Sequence, residues 1–162
     1  DRNLSLSFLI DVRYGGVMYS GTVSDLRVNG MAEETIGKNR TDIVDKGVKQ
    51  DGTENTTAIT PYQFWSNNYS SKVSEANVFD ATFVKLREMV LSYQMPQRWF
   101  KNCFIGSLAL GVEGRNLWLM KSNVPHIDPE TNIFGPSAVG SGVEYSAIPT
   151  TRSWGFNIKL TF

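Results

Sequence analysis

Arg152-Ser153-Trp154-Gly155-Phe156-Asn157-Ile158-Lys159-Leu160-Thr161-Phe162 alternates without a fault. Trp154, Phe156, Ile158, Leu160 and Phe162 are apolar, and the residues between them are small or polar. A period of two is that of a β-strand, whose successive side chains point to opposite faces. The stretch therefore reads as a strand with one greasy face and one wet face. Its length, about 11 residues, is what a tilted strand needs to cross the hydrocarbon core of a bilayer. Two sheets packed face to face in water produce the same alternation, so this strand alone leaves both architectures open.

Three more stretches share the pattern. Leu4, Leu6, Phe8, Ile10 and Val12 alternate with Ser5, Ser7, Leu9, Asp11 and Arg13, and Gly15-Gly16 ends that strand, at about residues 4–14. At about 83–95, Met89, Leu91, Tyr93 and Met95 form an apolar face, but Val84 and Leu86 fall on the other parity. Either a β-bulge intervenes or that half stands clear of the greasy layer. Arg87 and Glu88, adjacent on one strand, are expected on opposite sides of the sheet. Pro96 stops the strand, and Gln97 to Asn102 makes a tight connection. A fourth strand at about 104–119 carries Leu108, Leu110 and Val112 on one face, and the closing strand occupies about 152–162.

The segments between, about 15–80 and 120–151, are far longer than ordinary loops. Val17 to Met31 reads as a short helix, with Tyr19, Val23 and Leu26 at helical spacing and Asn29-Gly30 as its stop. Ile43-Val44 and Ala58-Ile59 form a small hairpin. Thr60-Pro61 opens a helix of one or two turns through Trp65, with Thr60 as cap and Pro61 at the first helical position. Long and short connections alternate, so one end of the sheet carries elaborate loops and the other only a turn. Outer-membrane barrels have this asymmetry, and a sandwich has no reason for it.

The totals exclude several classes. Lys+Arg and Asp+Glu are both 16, so the basic excess of a nucleic-acid binder is missing and no nucleic-acid partner is expected. Hydrophobic residues at 41% exclude a disordered chain. No apolar run approaches the ~18 residues of a transmembrane helix, although a barrel hides its lipid face from such a count. The chain opens at Asp1 without a leader pattern and reads as a piece of something longer.

Cys103 is the single cysteine and is expected to be an inert thiol; His126 is the single histidine, too few for a zinc site. No nucleophile motif accompanies them, so no catalytic residue, metal or cofactor is expected. Asp45, Asp51 and Glu54 around Gly52 miss the spacing of a calcium loop and read as a solvated turn. Gly135, Gly140 and Gly142 lack the Gly-Lys-Ser/Thr of a phosphate loop. The triplets Asn39-Arg40-Thr41, Asn55-Thr56-Thr57 and Asn68-Tyr69-Ser70 match a glycosylation sequon by chance. Tyr62, Phe64 and Trp65 read as a hydrophobic cluster under the long loop, with a sugar-stacking platform as the alternative. The candidate binding residues are Asp11 and Arg13 on the polar face of the first strand and Glu113 and Arg115 on that of the fourth. There they either meet cargo in a water-filled lumen or pair along its wall.

Several stretches resemble one family. Phe79-Asp80-Ala81-Thr82-Phe83-Val84-Lys85-Leu86-Arg87-Glu88 and Leu91-Ser92-Tyr93-Gln94-Met95-Pro96 look like the penultimate region of SusC/RagA-type TonB-linked outer-membrane transporters. Gly114-Arg115-Asn116-Leu117-Trp118, Ile127-Asp128-Pro129-Glu130, Pro149 to Phe156, and Ile10-Asp11-Val12-Arg13-Tyr14-Gly15-Gly16 are similar to further motifs of that family, in the right order. The resemblance implies an all-β fold: the last four antiparallel strands of a transmembrane barrel of about 22 strands, with long extracellular loops carrying short helices. It implies import of nutrients, typically oligosaccharides and in some members peptides, across the outer membrane of a Gram-negative bacterium. The implied partners are the rest of the barrel and its plug, a SusD-like surface lipoprotein, the TonB complex through an N-terminal region, and outer-membrane lipid. The terminal Phe162 also resembles the signal by which such barrels are recognised for insertion. A soluble all-β carbohydrate-binding module is the alternative.

Overall fold

The computed structural model describes residues 3–35, 43–70, 73–101, 104–135 and 142–162. In chain order the elements are β1 (Leu4–Arg13), β2 (Val17–Ser20), α1 (Gly21–Val28), β3 (Ile43–Val44), β4 (Ala58–Ile59), α2 (Pro61–Trp65), β5 (Val78–Asp80), β6 (Phe83–Gln94), β7 (Ser107–Ser122), β8 (Val143–Glu144) and β9 (Ser153–Thr161). They divide into two compact units: residues 1–14, 82–122 and 150–162, and residues 15–81 and 123–149.

The first unit is one antiparallel sheet in the order β1-β6-β7-β9. These are the four expected strands, with β7 running to Ser122, beyond the expected end. Arg13, Phe83, Ser122 and Ser153 mark the end of the sheet from which both long segments leave, and Gln97–Trp99 forms a 3₁₀ turn at the other. Gly15 and Gly16, at φ 79° and 84°, turn the chain out of β1 through a backbone region that side-chain-bearing residues avoid.

Leu108 lies opposite Leu160, Leu110 opposite Ile158, Val112 opposite Phe156 and Gly114 opposite Trp154, so the apolar residues of β7 and β9 share a face. The same face takes Leu4, Leu6 and Phe8 of β1 opposite Tyr93, Leu91 and Met89 of β6. The parity slip within β6 is a β-bulge: Leu9 faces Glu88 but Ile10 faces Leu86, leaving Arg87 as the extra residue. The bulge returns Val84 and Leu86 to the greasy face, opposite Val12 and Ile10. It also corrects the expectation for Arg87 and Glu88. An extra residue breaks strict alternation, and both side chains reach polar-face partners, Asp11 and Arg115 respectively.

This greasy face has no cover among the described residues. Phe8 is 65% exposed, Trp154 62%, Phe156 85% and Ile158 67%. Aromatic residues flank it at both ends: Trp118 and Trp154 toward the loops, and Phe104 stacked on Phe162, ring centroids 5.7 Å apart, toward the turn. Trp154 to Phe162 spans about 26 Å along the strand at ~3.3 Å per residue. That is close to the ~25 Å apolar band between the aromatic girdles of a membrane barrel.

The second unit has its own small core. Met18, Ala81 and Val124 are buried, with Phe79 and Ile127 packed against them. The stretch from Val17 was expected to be helical throughout; instead Val17–Ser20 is a strand, antiparallel to β5 and parallel to β8. Met18 and Ser20 point inward there, and partners about 60 and 125 residues away leave no trace in local periodicity. The helix starts one residue later, capped by the Ser20 hydroxyl on the Val23 amide at 3.0 Å, and it stops at Asn29-Gly30 as read. The β3–β4 hairpin and α2 form as expected. Thr60 accepts from the Gln63 amide and the Gln63 side chain accepts from the Thr60 amide, a reciprocal cap.

Inserting one residue next to Arg87 should flip residues 83–86 relative to the rest of β6, carrying Lys85 onto the greasy face, whereas deleting Arg87 removes the bulge and leaves Val84 and Leu86 where they are. We expect the yield of folded protein, read as heat-modifiable mobility on a gel, to collapse for the insertion and to survive the deletion. Arg87→Ala keeps the residue count and should fold.

Candidate functional site

The polar face of the sheet is ordered by register. From the turn end upward its rows are Ser5, Ser92, Gly111 and Asn157; Ser7, Val90, Glu113 and Gly155; then Leu9, Glu88, Arg115 and Ser153. Above these comes the bulge at Arg87, then Asp11, Lys85 and Leu119, and last Arg13 opposite Phe83. The lowest row is joined by the Ser5 and Ser92 hydroxyls at 2.7 Å.

Charges concentrate around the bulge. Arg87 pairs with Asp11 through Nη2 and donates through Nη1 to Asn116 Oδ1 at 2.9 Å. Asn116, held at φ 50°, donates in turn to the Thr151 carbonyl at 3.1 Å. Lys85, buried, donates to the Thr150 hydroxyl at 3.2 Å. Arg115 sits between Glu88 at 3.5 Å and Glu113 at 3.9 Å. From β1 to β7 the signs alternate: Asp11, Arg87, Glu88, Arg115, Glu113.

The four residues singled out from sequence thus share one face but not one cluster. Asp11 is tied to Arg87, Glu113 and Arg115 are neighbours two rows away, and Arg13 stands exposed at the loop end. Sequence reasoning set the adjacent Arg87 and Glu88 aside as structural and did not single out Lys85. The parity slip between Leu86 and Met89 was the signal that an extra residue, with its side chain re-aimed, lay between them.

The pairs differ in tightness. The Arg87 side chain is 25% exposed and bonded on two sides; that of Arg115 is 59% exposed with longer contacts. A polar recess of about 160 Å³ opens beside Arg115, lined by Glu113, Ser153, Trp154 and Gly155. A larger groove, about 500 Å³, lies on the greasy face among Leu4, Leu91, Tyr93, Leu110, Phe156 and Ile158. Its walls are ridges of the apolar face, and it brings no polar side chain to bear on a ligand beyond Asn157 at its rim.

In the second unit Phe64, Trp65 and Tyr69 pack with centroids 5.1–5.2 Å apart, and Arg27 lies 4.5 Å over Trp65. They form a local cluster, and Tyr62, 61% exposed, stands apart from it. His126 Nε2 lies 2.9 Å from Glu34 Oε2, and Arg27 Nε donates to Glu34 Oε1 at 2.6 Å. Burial works to raise the Glu34 pKa, but these bonds and a backbone bond override it and hold the carboxyl at about 2. Asp51 closes its own turn on the Thr53 amide and hydroxyl. Among the described residues no three of His, Cys, Asp and Glu gather as a metal site. Cys103, Gly140 and Asn39-Arg40-Thr41 lie outside the described residues, as do the side chains of Asn68 and Ser70.

No protein-family model matches the chain. It is 24% identical over 95 residues to TonB-dependent receptor P3 of Formosa agariphila, a match covering 56% of this chain and 9% of that protein. Among solved structures, 99% of the chain superposes on 16% of a chain of the RagAB peptide importer, in both its open-open and its closed-closed state, with TM-score 0.60 and 17% identity. A further structure of the RagAB peptide transporter matches over the same shares with TM-score 0.60 and 20% identity. The matched stretches therefore make up 9% of the receptor and 16% of each importer chain, proteins whose names are those of a receptor and an importer, not of enzymes. The fold of this chain is that of a stretch of a SusC/RagA-type TonB-dependent transporter barrel, as the sequence motifs led one to expect.

Replacing Arg87 by Ala strips partners from the half-buried Asp11 and Asn116 and should cost about 1–3 kcal/mol. Arg115→Ala should cost no more than about 1 kcal/mol. Urea midpoints of the folded barrel compare the two. Separately, Glu34 has a folded pKa below its ordinary 4.5, so its contribution to the second unit is complete above that value and is lost as pH falls toward 2. Hydrogen exchange of the Glu33–Thr35 amides should accelerate across that window in the wild type and show no such step in Glu34→Gln.

Proposed function

We propose that this chain supplies the last four strands and two outer loops of a barrel of about 22 strands, a TonB-dependent transporter that imports nutrients across the outer membrane of a Gram-negative bacterium. The observation that carries this reading is the uncovered greasy face with aromatic residues at both ends. Soluble proteins rarely expose so large an apolar surface. In lipid it is the required outer surface, and the charged face opposite becomes the wall of a water-filled interior. Among the described residues β1 and β9 each pair on one side only, which supports the same reading. Strand edges in lipid must be paired, which the rest of the barrel would do. No helix among the described residues is long and apolar enough to cross a membrane, a fact silent on barrels, which cross with strands.

In this arrangement Asp11, Arg13, Glu113 and Arg115 line the lumen, and Arg115 beside its recess is the residue best placed to touch cargo. The likeness to a peptide importer and the mixed charges of the wall favour oligosaccharides or peptides as cargo. The loop end of the sheet faces outside, where a SusD-like lipoprotein would dock; TonB would act through a region outside this chain. A soluble carbohydrate-binding module is disfavoured by the same greasy face, which a sandwich would bury.

Arg placed at Leu110 or Ile158 should cost about 2–4 kcal/mol in the bilayer and lower the amount of folded barrel in outer-membrane fractions. Arg115→Glu should leave that amount unchanged and slow uptake. If the wild-type protein stays folded and soluble without detergent, the sandwich reading replaces this one. Protease added to intact cells should cut within residues 17–80 or 121–149 and spare 97–102.

A further inference from the structure

Glu144 is 1% exposed, a carboxylate buried in the second unit. Three neutral donors surround it. Ser20 donates its hydroxyl to Oε2 at 2.6 Å, Thr22 donates to Oε1 at 2.5 Å, and the Ala147 amide donates to Oε1 at 3.2 Å. Ser20 and Thr22 belong to the first long segment, Glu144 and Ala147 to the second. Both hydroxyls also accept: Ser20 from the Val23 amide at 3.0 Å, and Thr22 from the Ser146 amide at 2.6 Å. Each hydroxyl can accept there because its own proton is committed to Glu144.

The surroundings tighten the same junction. The Tyr19 amide donates to the Gly142 carbonyl at 2.8 Å, and β8 pairs in parallel with β2. Asp25 of α1 pushes the pKa of the Tyr145 hydroxyl up. The Tyr145 ring lies against Gly21, where an added Cβ would come within 2.1 Å of it, so the approach requires glycine. The negative carboxylate also sits at the N-terminal end of α1, where the helix dipole favours it.

We infer that Glu144 is a clasp that locks the two long loops into one body, so that they open together rather than singly. The residues on the two sides share acceptors. If 142–147 peels away, the Ser20 and Thr22 hydroxyls lose their acceptor, the β2 amide of Tyr19 loses its carbonyl, and the cap of α1 loses the charge that orients it. A partner or cargo that grips one loop would therefore carry the other.

Hydrogen exchange on the full-length protein tests this, in wild type, Glu144→Ala and Glu144→Gln. In Glu144→Ala, peptides covering 17–28 and peptides covering 142–148 should both exchange at least tenfold faster, and by matched factors. Glu144→Gln keeps an acceptor for Thr22 or Ser20 but not both, and should give a smaller, still matched increase. If Glu144→Ala fails to assemble, Thr22→Val serves, since it cuts one strand of the clasp and leaves the carboxylate in place. An increase confined to 142–148, with 17–28 unchanged, would show that the second loop melts alone and overturn the inference. So would no change in either segment. Neither outcome bears on the transport reading, because exchange is read without cargo.

Discussion

A strand has two faces and no third, and this sheet is ruled by that constraint. Its four strands must keep every large apolar side chain on one side while the backbone ladder stays closed. An unpaired backbone group shielded from water costs about as much as a lost hydrogen bond, so the ladder cannot break where the sequence slips by one residue. The slip is absorbed within β6 by the bulge at Arg87. Two consequences follow from that single extra residue. Val84 and Leu86 rejoin the greasy face, and two consecutive charged residues, Arg87 and Glu88, reach partners on the polar face. The alternating row of charges is thus a by-product of keeping the other face apolar.

The second unit solves a different problem. Its apolar core is small, and many of its buried residues are polar: Ser20, Ser24, Thr35, Asn77, Thr131 and Glu144. Such groups are stable only when each finds a partner. The unit is therefore held by caps and shared acceptors more than by area removed from water. The Ser20 cap on α1, the Thr60–Gln63 box on α2 and the Arg27 bonds to Ala76 and Asn77 are all of this kind. Directional bonds fix geometry more narrowly than greasy contacts do, which suits segments that must keep a shape with little core beneath them.

What was legible in the sequence follows the range of the interaction that writes it. The period-two pattern of Trp154 to Phe162 is local, and it marked the strand and its greasy face. The Thr60-Pro61 start and the Asn29-Gly30 stop are local chemistry, and both were read correctly. The strand character of Val17–Ser20 depends on β5 and β8, distant in sequence, and was misread as helix. Glu144 carries no local mark of burial: Val143-Glu144-Tyr145 is a mixed triplet, and only the hydroxyls of Ser20 and Thr22 make its carboxylate an interior group. On the polar face Asp11, Arg13, Glu113 and Arg115 were visible as residues of the right parity. Arg87 was hidden by the bulge, because parity counting assigns it to the wrong side.

The two arginines of the polar face show how the same side chain serves opposite ends. Arg87 forms two bonds, is three-quarters covered, and spans from β1 to β7 through Asp11 and Asn116. A guanidinium so engaged has few donors left, and a solute would have to break the bulge to reach it. Arg115 is more than half exposed, and its contacts of 3.5 and 3.9 Å are long for charge-assisted bonds. Its attraction to Glu88 and Glu113 is correspondingly weak in water-facing surroundings, so exchanging either for an acceptor on a passing solute costs little. The fixed pair holds the polar face in register while the loose one stands open beside its recess. That division follows from position: the residue at the bulge is locked by bonds to both neighbouring strands, and the residue in the row below it is not.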